Sequence, residues 1–450
     1  PLVLYNGCML SGTYHFPRGF IWGTATSSHQ VEGNNRNNDW TVWEEQPGRI
    51  LNGDKAGQAS GWWSGRWKDD LDRAVETGQN AHRLSIEWSR IQPTPDSWDE
   101  DAIEFYRQLL RGMQERKLMP YVTLHHFTSP LWVTEFGGWE NPEVVEWFAA
   151  YTRKIVTALK EYCSLWVTIN EPNVYWYSGY VLGVFPPGKQ DIPAAFKVAV
   201  NLVKAHSAAY RIIHELQPNA QVGLAHNVQT ITADRSWLPF DNWGAKIVSQ
   251  AFNASFPDAL RTGKLNMINH SARIPEAIGT QDYFGINYYT HSHFRFQPLN
   301  TKGLFHELQF RKDDLLSENG FIANKPLGFY RAIKWACQYG MPVYISENGV
   351  EDSKDTMRPR YLVEHIHQVW RAVNYNWPVK GYFHWSLIDN FEWERGWSQR
   401  FGLWGLDINT QARQRRPSVD IYQAICQENG IASEMIQRLV PDSYATIFPQ

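Results

Sequence analysis

Eight short runs of apolar and β-branched residues recur along this chain, most of them separated by stretches whose apolar positions repeat at helical spacing. The runs are 20–26, 82–86, 121–124, 165–169, 222–225, 283–286, 343–345 and 381–383. Helical patterns occupy 67–76, with Gly78 as a stop, then 101–117, 142–162, 192–216, 327–338 and 361–373, and Pro417 opens a last helix running through Cys426. Strands that alternate with helices need a parallel sheet covered by those helices. Eight of them favour a single closed (β/α)8 barrel with long loops at the C-terminal face of its strands over an open doubly wound sheet. The stretch 230–281 is too long for a simple connection and is expected to be an excursion with at least one helix of its own. No linker, repeat or low-complexity tract divides the chain, so one barrel domain is expected over 16–427. An extension over 1–15 precedes it, and a segment over 428–450 follows, whose Met435, Ile436, Leu439 and Val440 suit docking on the barrel.

Barrels of this kind build their chemistry where the strands end. The strand exits here are rich in polar groups. Gln30-Val31-Glu32-Gly33 follows run one, Arg83 lies within run two, and Glu87-Trp88-Ser89-Arg90 follows it. His125-His126-Phe127 comes after run three, Asn170-Glu171-Pro172 after run four, and His226-Asn227 ends run five. Asn287-Tyr288-Tyr289, Glu347-Asn348-Gly349 and Trp385-Ser386 complete the circuit. Two carboxylates stand out: Glu171 and Glu347, at the exits of strands four and seven, are placed to face one another across the barrel mouth. A lone glutamate at a strand end more often forms a structural ion pair with a barrel arginine. A facing pair is the apparatus of glycoside cleavage, with the separation deciding between retention at about 5–5.5 Å and inversion at about 6.5–9.5 Å.

Composition narrows the partners. Lys plus Arg number 43 against 46 Asp plus Glu, a net charge of −3, which leaves no basic footprint for nucleic acid. No apolar stretch reaches membrane-spanning length, and residues 1–14 lack the pattern of a secretion signal. Cys8, Cys163, Cys337 and Cys426 are scattered without metal or disulfide spacing, which favours a reducing, cytoplasmic setting. No metal motif appears among the histidines, and no cofactor is expected. The 22 Trp, 21 Tyr and 22 Phe are a surplus of rings, many of them expected to line a cleft, where flat apolar faces suit sugar C–H surfaces.

The motifs become specific when taken together. Residues 168–172 (Thr-Ile-Asn-Glu-Pro) and 345–349 (Ile-Ser-Glu-Asn-Gly) resemble the two signature segments of glycoside hydrolase family 1, the β-glucosidase family. Residues 20–33, 83–90 and 385–393 are similar to its opening, strand-two and strand-eight motifs, and the likeness runs from about Phe16 to about Gln427. The resemblance implies a retaining β-glycosidase that removes terminal non-reducing β-linked sugars from β-glucosides and short oligosaccharides such as cellobiose, with Glu347 as nucleophile and Glu171 as acid/base. It further implies that Asn170 holds the sugar 2-hydroxyl. Gln30, His126 and Glu392, helped by Trp393, would bind the outer hydroxyls, and Trp385 would form the platform beneath the ring. Arg83 and Tyr289 would contact Glu347, with Asn287 supporting the same region.

The chain departs from the family pattern in two places. His126 is followed by Phe127 where the family has Trp, and Gly320-Phe321 stands where many members carry Gly-Trp, so the ring that stacks on the leaving group is expected to be missing or replaced by Phe321. Two other readings compete. A 6-phospho-β-glycosidase shares both glutamates but needs cationic or hydroxyl donors near the sugar 6-position, where Glu392 is expected to repel phosphate. A non-catalytic sugar- or protein-binding barrel would have lost a carboxylate, and a plant-type thioglucosidase would carry Gln in place of Glu171. The preferred sugar among glucose, galactose and fucose, and the oligomeric state, stay open.

Overall fold

The computed structural model describes residues 12–267, 269–300 and 305–449. Most of the proposed 1–15 extension, including Cys8, lies outside them. All eight runs form strands: β1 Ile21–Ala25, β2 Ala81–Ser85, β3 Met119–His125, β4 Leu165–Asn170, β5 Gln221–Asn227, β6 Tyr283–Tyr288, β7 Val343–Asn348 and β8 Val379–Trp385. They pair in chain order, all parallel, and β8 pairs with β1 to close the barrel expected from the alternation.

The strands read at period two. In β4, Leu165 and Val167 point inward with Ala25, Ala81, Tyr121, Ala225, Tyr283 and Phe383 and Trp166 faces the helices, until the irregularity after Val167 turns Ile169 to the outer layer too. The helices follow from an apolar stripe and a cap. Glu100–Glu115 buries Ile103, Tyr106, Leu109, Leu110 and Met113 at spacings of one, three or four, and the Asp99 side chain accepts from Ala102 N at 2.9 Å. Ile192–Leu216 begins in the same way, with Asp191 accepting from Ala194 N at 3.0 Å.

The excursion after β5 holds the strand Thr230–Ala233, the helices Pro239–Ser249 and Ser255–Thr262, and the strands Lys264–Met267 and His270–Arg273. Thr230–Ala233 pairs with His291–Phe296, which pairs in turn with His306–Gln309. Elsewhere, Thr13–His15 pairs antiparallel with Gly430–Ala432, and the Tyr14 ring stacks on Trp370 at 4.0 Å and Phe448 at 4.5 Å.

The tryptophans correct one expectation. Trp43, Trp176, Trp385 and Trp393 line the cleft, but Trp22, Trp62, Trp88, Trp139 and Trp166 are core residues. The core accommodates these five because the indole N–H of each finds an acceptor. Trp22 donates to Asn429 Oδ1 at 2.9 Å, Trp62 to Asp70 Oδ2 at 2.9 Å, Trp88 to Gln92 Oε1 at 2.9 Å and Trp166 to Gln217 Oε1 at 2.9 Å.

Candidate active site

The strand ends converge on a cleft of about 1600 Å³ at the C-terminal face, lined among others by His126, Phe127, Glu171, Tyr289, Glu347, Trp385, Glu392 and Trp393. Irregular pairing at its floor aims the side chains. The register slips between Val167 and Asn170 on β4, between Ile286 and Asn287 on β6, and between Ile345 and Asn348 on β7, each beside a glutamate or its partners.

Glu171 sits at the turn from β4 into the helix Pro172–Tyr177, with left-handed φ 43° and ψ 58°. A non-glycine residue there stores about 1–3 kcal/mol of strain. The backbone bond from Glu171 N to Ala225 O, 2.6 Å, holds the turn, and Pro172 suits the first helical position because it has no N–H to leave unpaired. Phe127 (φ 68°) and Trp393 (φ 48°) are left-handed too, and both line the cleft. Glu347 ends β7, and Gly349 beyond it admits no side chain: a Cβ would lie 1.9 Å from the Trp385 carbonyl oxygen. That close approach seats the end of β8 against the end of β7.

The two glutamates receive different company. Glu347 Oε1 accepts from Arg83 Nη1 at 2.6 Å, and Oε2 accepts from the Tyr289 hydroxyl at 2.5 Å. Glu171 Oε1 accepts from two neutral amides, Asn287 Nδ2 at 2.8 Å and Asn227 Nδ2 at 3.0 Å. Burial lifts both carboxyls above the usual range, but Arg83, Tyr289 and Asn287 pull Glu347 back. For Glu171, burial acts first and the neighbouring Glu347 charge adds to it, so its pKa is pushed up to about 8. Tyr289 stays a phenol, because burial and the Glu347 charge raise it well above its ordinary value.

Arg83 organises the floor. It lies over the Tyr121 ring at 5.6 Å, donates from Nε to Thr123 Oγ1 at 3.1 Å and from Nη2 to Asn170 Oδ1 at 2.6 Å. Asn170 also accepts from Asn287 at 3.1 Å and donates to His126 Nε2 at 3.1 Å. His126 Nε2 is thereby the acceptor, the ring proton sits on Nδ1, and Nδ1 has no partner within the protein. Burial, followed by Arg83, keeps this imidazole neutral.

The opposite wall is aromatic and acidic. Trp385 and Trp393 lie nearly parallel to His126, with ring centres at 5.9 and 6.0 Å. Phe127, the departure from the family pattern, packs edge-on against Trp393 at 5.1 Å. Glu392 accepts from Asn390 Nδ2 at 2.8 Å and Gln30 Nε2 at 3.2 Å, and burial pushes its pKa up to about 8. Gln30 is fully buried beside Glu392; its amide also donates to Phe391 O at 2.8 Å and its oxygen accepts from Ser27 at 2.6 Å. The loop that carries Trp385 and Glu392 is anchored by Asp389, which accepts from Arg416 Nη1 at 2.7 Å and Nη2 at 2.9 Å.

Sequence reasoning passed over Asn227, Ser346 and Asn390. Ser346 donates to Asn287 Oδ1 at 2.7 Å, which turns the Asn287 amide nitrogen toward Glu171. Asn227 was visible only as a polar residue at the end of β5. Glu32 and Glu87 take structural places: Glu32 binds Arg90 at 2.8 Å and Tyr106 at 2.6 Å, and Glu87 accepts from Ser28 at 2.8 Å and Thr128 at 2.9 Å. Phe321 lines the cleft beneath the Arg395 guanidinium, 5.2 Å from its ring.

A closed parallel barrel with two buried carboxylates at its mouth, beside aromatic faces and buried hydrogen-bonding groups, is the equipment of a glycoside hydrolase. The family model for glycosyl hydrolase family 1 matches residues 13–431. Beta-glucosidase A of Thermotoga maritima is 32% identical over 445 residues, 92% of this chain and 98% of that protein. A beta-galactosidase of Sulfolobus acidocaldarius is 31% identical, covering 93% of this chain and 96% of its own length. Among solved structures, the beta-glycosidase from Pyrococcus horikoshii superposes with a TM-score of 0.88 at 36% identity, over 95% of this chain and 98% of that one. The chain belongs to glycosyl hydrolase family 1.

Proposed function

We propose that this enzyme hydrolyses terminal β-linked glucosides, and related β-galactosides or β-fucosides, by double displacement. Glu347 is the nucleophile and Glu171 the acid/base. The observation that carries the assignment is the asymmetry of their partners: a cation and a phenol on Glu347, two neutral amides on Glu171. A cation and a donated O–H favour carboxylate. At neutral pH the pair then holds one proton, on Glu171, as the first step requires.

Glu347 attacks the anomeric carbon while Glu171 protonates the departing oxygen. Both amides converge on Glu171 Oε1, which makes Oε2 the oxygen that carries the proton. Once the leaving group has gone, Glu171 takes a proton from water, and the water opens the glycosyl-enzyme with net retention. Asn170 Nδ2 serves the 2-hydroxyl, and the unpaired Nδ1–H of His126 and the Glu392 carboxyl serve the outer hydroxyls over the Trp385 and Trp393 rings. Gln30, bonded to Glu392, serves the outer hydroxyls with it, and Arg83 and Asn287 act as positioning residues for the two glutamates.

Glucoside and galactoside preference is supported by the printed activities of the relatives, and by the T. maritima beta-glucosidase solved in complex with galacto-hydroximolactam and with glucoimidazole. The described partners of Glu392 are Gln30, Asn390 and Trp385, none of them cationic, which disfavours a 6-phosphate. Cysteines 163, 337 and 426 are free, in keeping with a reducing, cytoplasmic location. No described helix is long and apolar enough to cross a membrane.

Nitrophenol release from p-nitrophenyl β-glucoside, β-galactoside, β-fucoside, β-mannoside, α-glucoside and β-glucoside 6-phosphate tests the reading. Turnover of the unphosphorylated β-gluco compound is expected, with cellobiose as the natural-linkage check. Turnover confined to the phosphate, or none from folded protein, refutes it.

A further inference from the structure

Most polar side chains that line the cleft already have partners. Glu171, Glu347, Glu392 and Asn227 do, and Gln229 and Ser292 are bonded to each other at 2.8 Å. Gln399 breaks the pattern. It lines the cleft and is 2% exposed, yet its amide oxygen Oε1 has no partner among the described residues. The other cleft-lining residues with such an atom offer ring nitrogens, on Trp43, His126, Trp176 and His270, so Gln399 supplies the one carbonyl. A buried carbonyl left unpaired is unfavourable by itself, and on the wall of a cleft it calls for a ligand that brings a donor.

The segment 396–401 that carries Gln399 is tied down along its length. Glu392 N donates to Gly396 O at 2.7 Å, Trp397 N to Asp54 Oδ2 at 2.8 Å and Asn319 Nδ2 to Ser398 O at 3.2 Å. Arg400 O accepts from Asp352 N at 2.9 Å and from Arg358 Nη2 at 2.7 Å, and Phe401 O accepts from Ser386 N at 3.2 Å. An amide mounted on such a segment is preorganised, which lowers the cost of ordering it around a ligand.

Its neighbours say which donor it meets. Asn170, at the sugar 2-hydroxyl, bonds His126 at 3.1 Å, so His126 comes next around the pocket, and Glu392 with Gln30 follows. Gln399 lies beyond Glu392 on the chain. Two residues further, Phe401 meets the Tyr289 ring edge-on at 6.0 Å, and Tyr289 holds Glu347, so the circuit closes at the anomeric centre. Passing C2, C3 and C4 in that order, the substituent left before the ring oxygen is the hydroxymethyl group on C5.

We propose that Gln399 is a specificity-determining residue whose amide oxygen accepts from the 6-hydroxyl of the sugar being cleaved, so that hexosides with a free primary hydroxyl are preferred over 6-deoxy sugars and pentosides. This rests on the β-glycosidase reading of the same cleft. A site that bonds a substrate hydroxyl rejects the analogue lacking it, because the protein's own group is then left unpaired.

The test measures kcat/KM on paired p-nitrophenyl substrates: β-glucoside against 6-deoxy-β-glucoside, and β-galactoside against β-fucoside, its 6-deoxy counterpart. The wild type is expected to favour the hydroxylated member of each pair by about five- to tenfold, the size of one neutral hydrogen bond. Gln399→Met keeps the length of the side chain without the amide and is expected to bring both ratios close to one, the loss falling on the hydroxylated members. Gln399→Ala is the second variant, and melting curves check that both fold.

Ratios near one in the wild type, or ratios that neither variant changes, overturn the proposal and leave the β-glycosidase reading intact. So does an equal loss on both members of each pair, which makes Gln399 a structural residue only. A changed glucoside-to-galactoside ratio with unchanged deoxy ratios moves Gln399 to the 4-hydroxyl and overturns the 6-hydroxyl assignment. Folded wild type that is silent on every substrate removes both readings.

Discussion

Arg83 and Glu347 form an ion pair sealed beneath the cleft, Nη1 to Oε1 at 2.6 Å, with side-chain exposures of 1% and 4%. Among the described residues the guanidinium is the one cation bonded to Glu347, and its second nitrogen fixes Asn170. Arg83→Met should leave a buried carboxylate without its counter-charge, a loss of about 3–5 kcal/mol where such pairs are broken. Glu347 should then hold its proton to higher pH, moving the acid limb of the kcat/KM profile upward. Arg83→Lys keeps the charge but not the fork, so it should hold the acid limb closer to wild type while kcat falls. A Met variant with an unmoved acid limb would show that Arg83 orients Glu347 without setting its ionisation.

Stereochemistry separates the two glutamates. Glu347→Ala should lose turnover of β-glucosides to the detection limit, and added azide should restore part of it as the inverted, α-configured glycosyl azide. Glu171→Ala should slow substrates with poor leaving groups by about 10²–10⁴ and activated aryl glycosides far less. Azide with that variant should give the β-configured product, since it attacks the glycosyl-enzyme from the vacated side. NMR of the azide products decides the matter; the opposite pairing of configuration and variant would exchange the roles.

With Glu171 as the acid/base, its proton should set the alkaline limit. With that pKa pushed up to about 8 by burial and by Glu347, kcat/KM should fall as pH rises through about 8. Glu347→Gln removes the like charge, so the Glu171 pKa should drop in that variant. Carbon-13 NMR titration of the labelled carboxyl reads this directly, and an unchanged value would leave burial as the sole cause.

Glu392 should cost stability in alkali. Its folded pKa is about 8 against about 4.3 in an unfolded chain. The folded state therefore binds the proton more tightly, and that contribution is full below about 4.3 and lost as pH rises to about 8. Glu392→Gln keeps the shape without the titration. It should melt a few degrees above wild type at pH 9, show little gain at pH 4 and raise KM for glucosides. Parallel melting curves across that range would refute the linkage.

The barrel was legible because period-two runs and helical stripes are local properties of sequence, and closure in chain order follows from eight of them. The helix 192–216 matches residue for residue, while 142–162 is shorter, Val144–Leu159. Glu171 and Glu347 were legible as strand-end residues within motifs. Asn227 was not, because nothing near it in sequence says that its amide points at a glutamate 56 positions earlier. Gln30 reads in sequence like a hydroxyl ligand, and nothing near it in sequence says that the fold also ties its amide to Ser27, Phe391 and Glu392. The tryptophans misled because composition counts rings without saying which indole N–H groups find buried acceptors.

The grip of Arg416 on Asp389 bears on the order in which the enzyme comes into being. The loop with Trp385 and Glu392 is held by a side chain that the ribosome adds more than twenty residues later, just before the helix Pro417–Glu428. A nascent chain can carry both glutamates and every barrel strand while the loop with Glu392 still lacks that anchor. Completing the strands therefore does not complete the cleft: its last wall waits on a residue made after the barrel has closed.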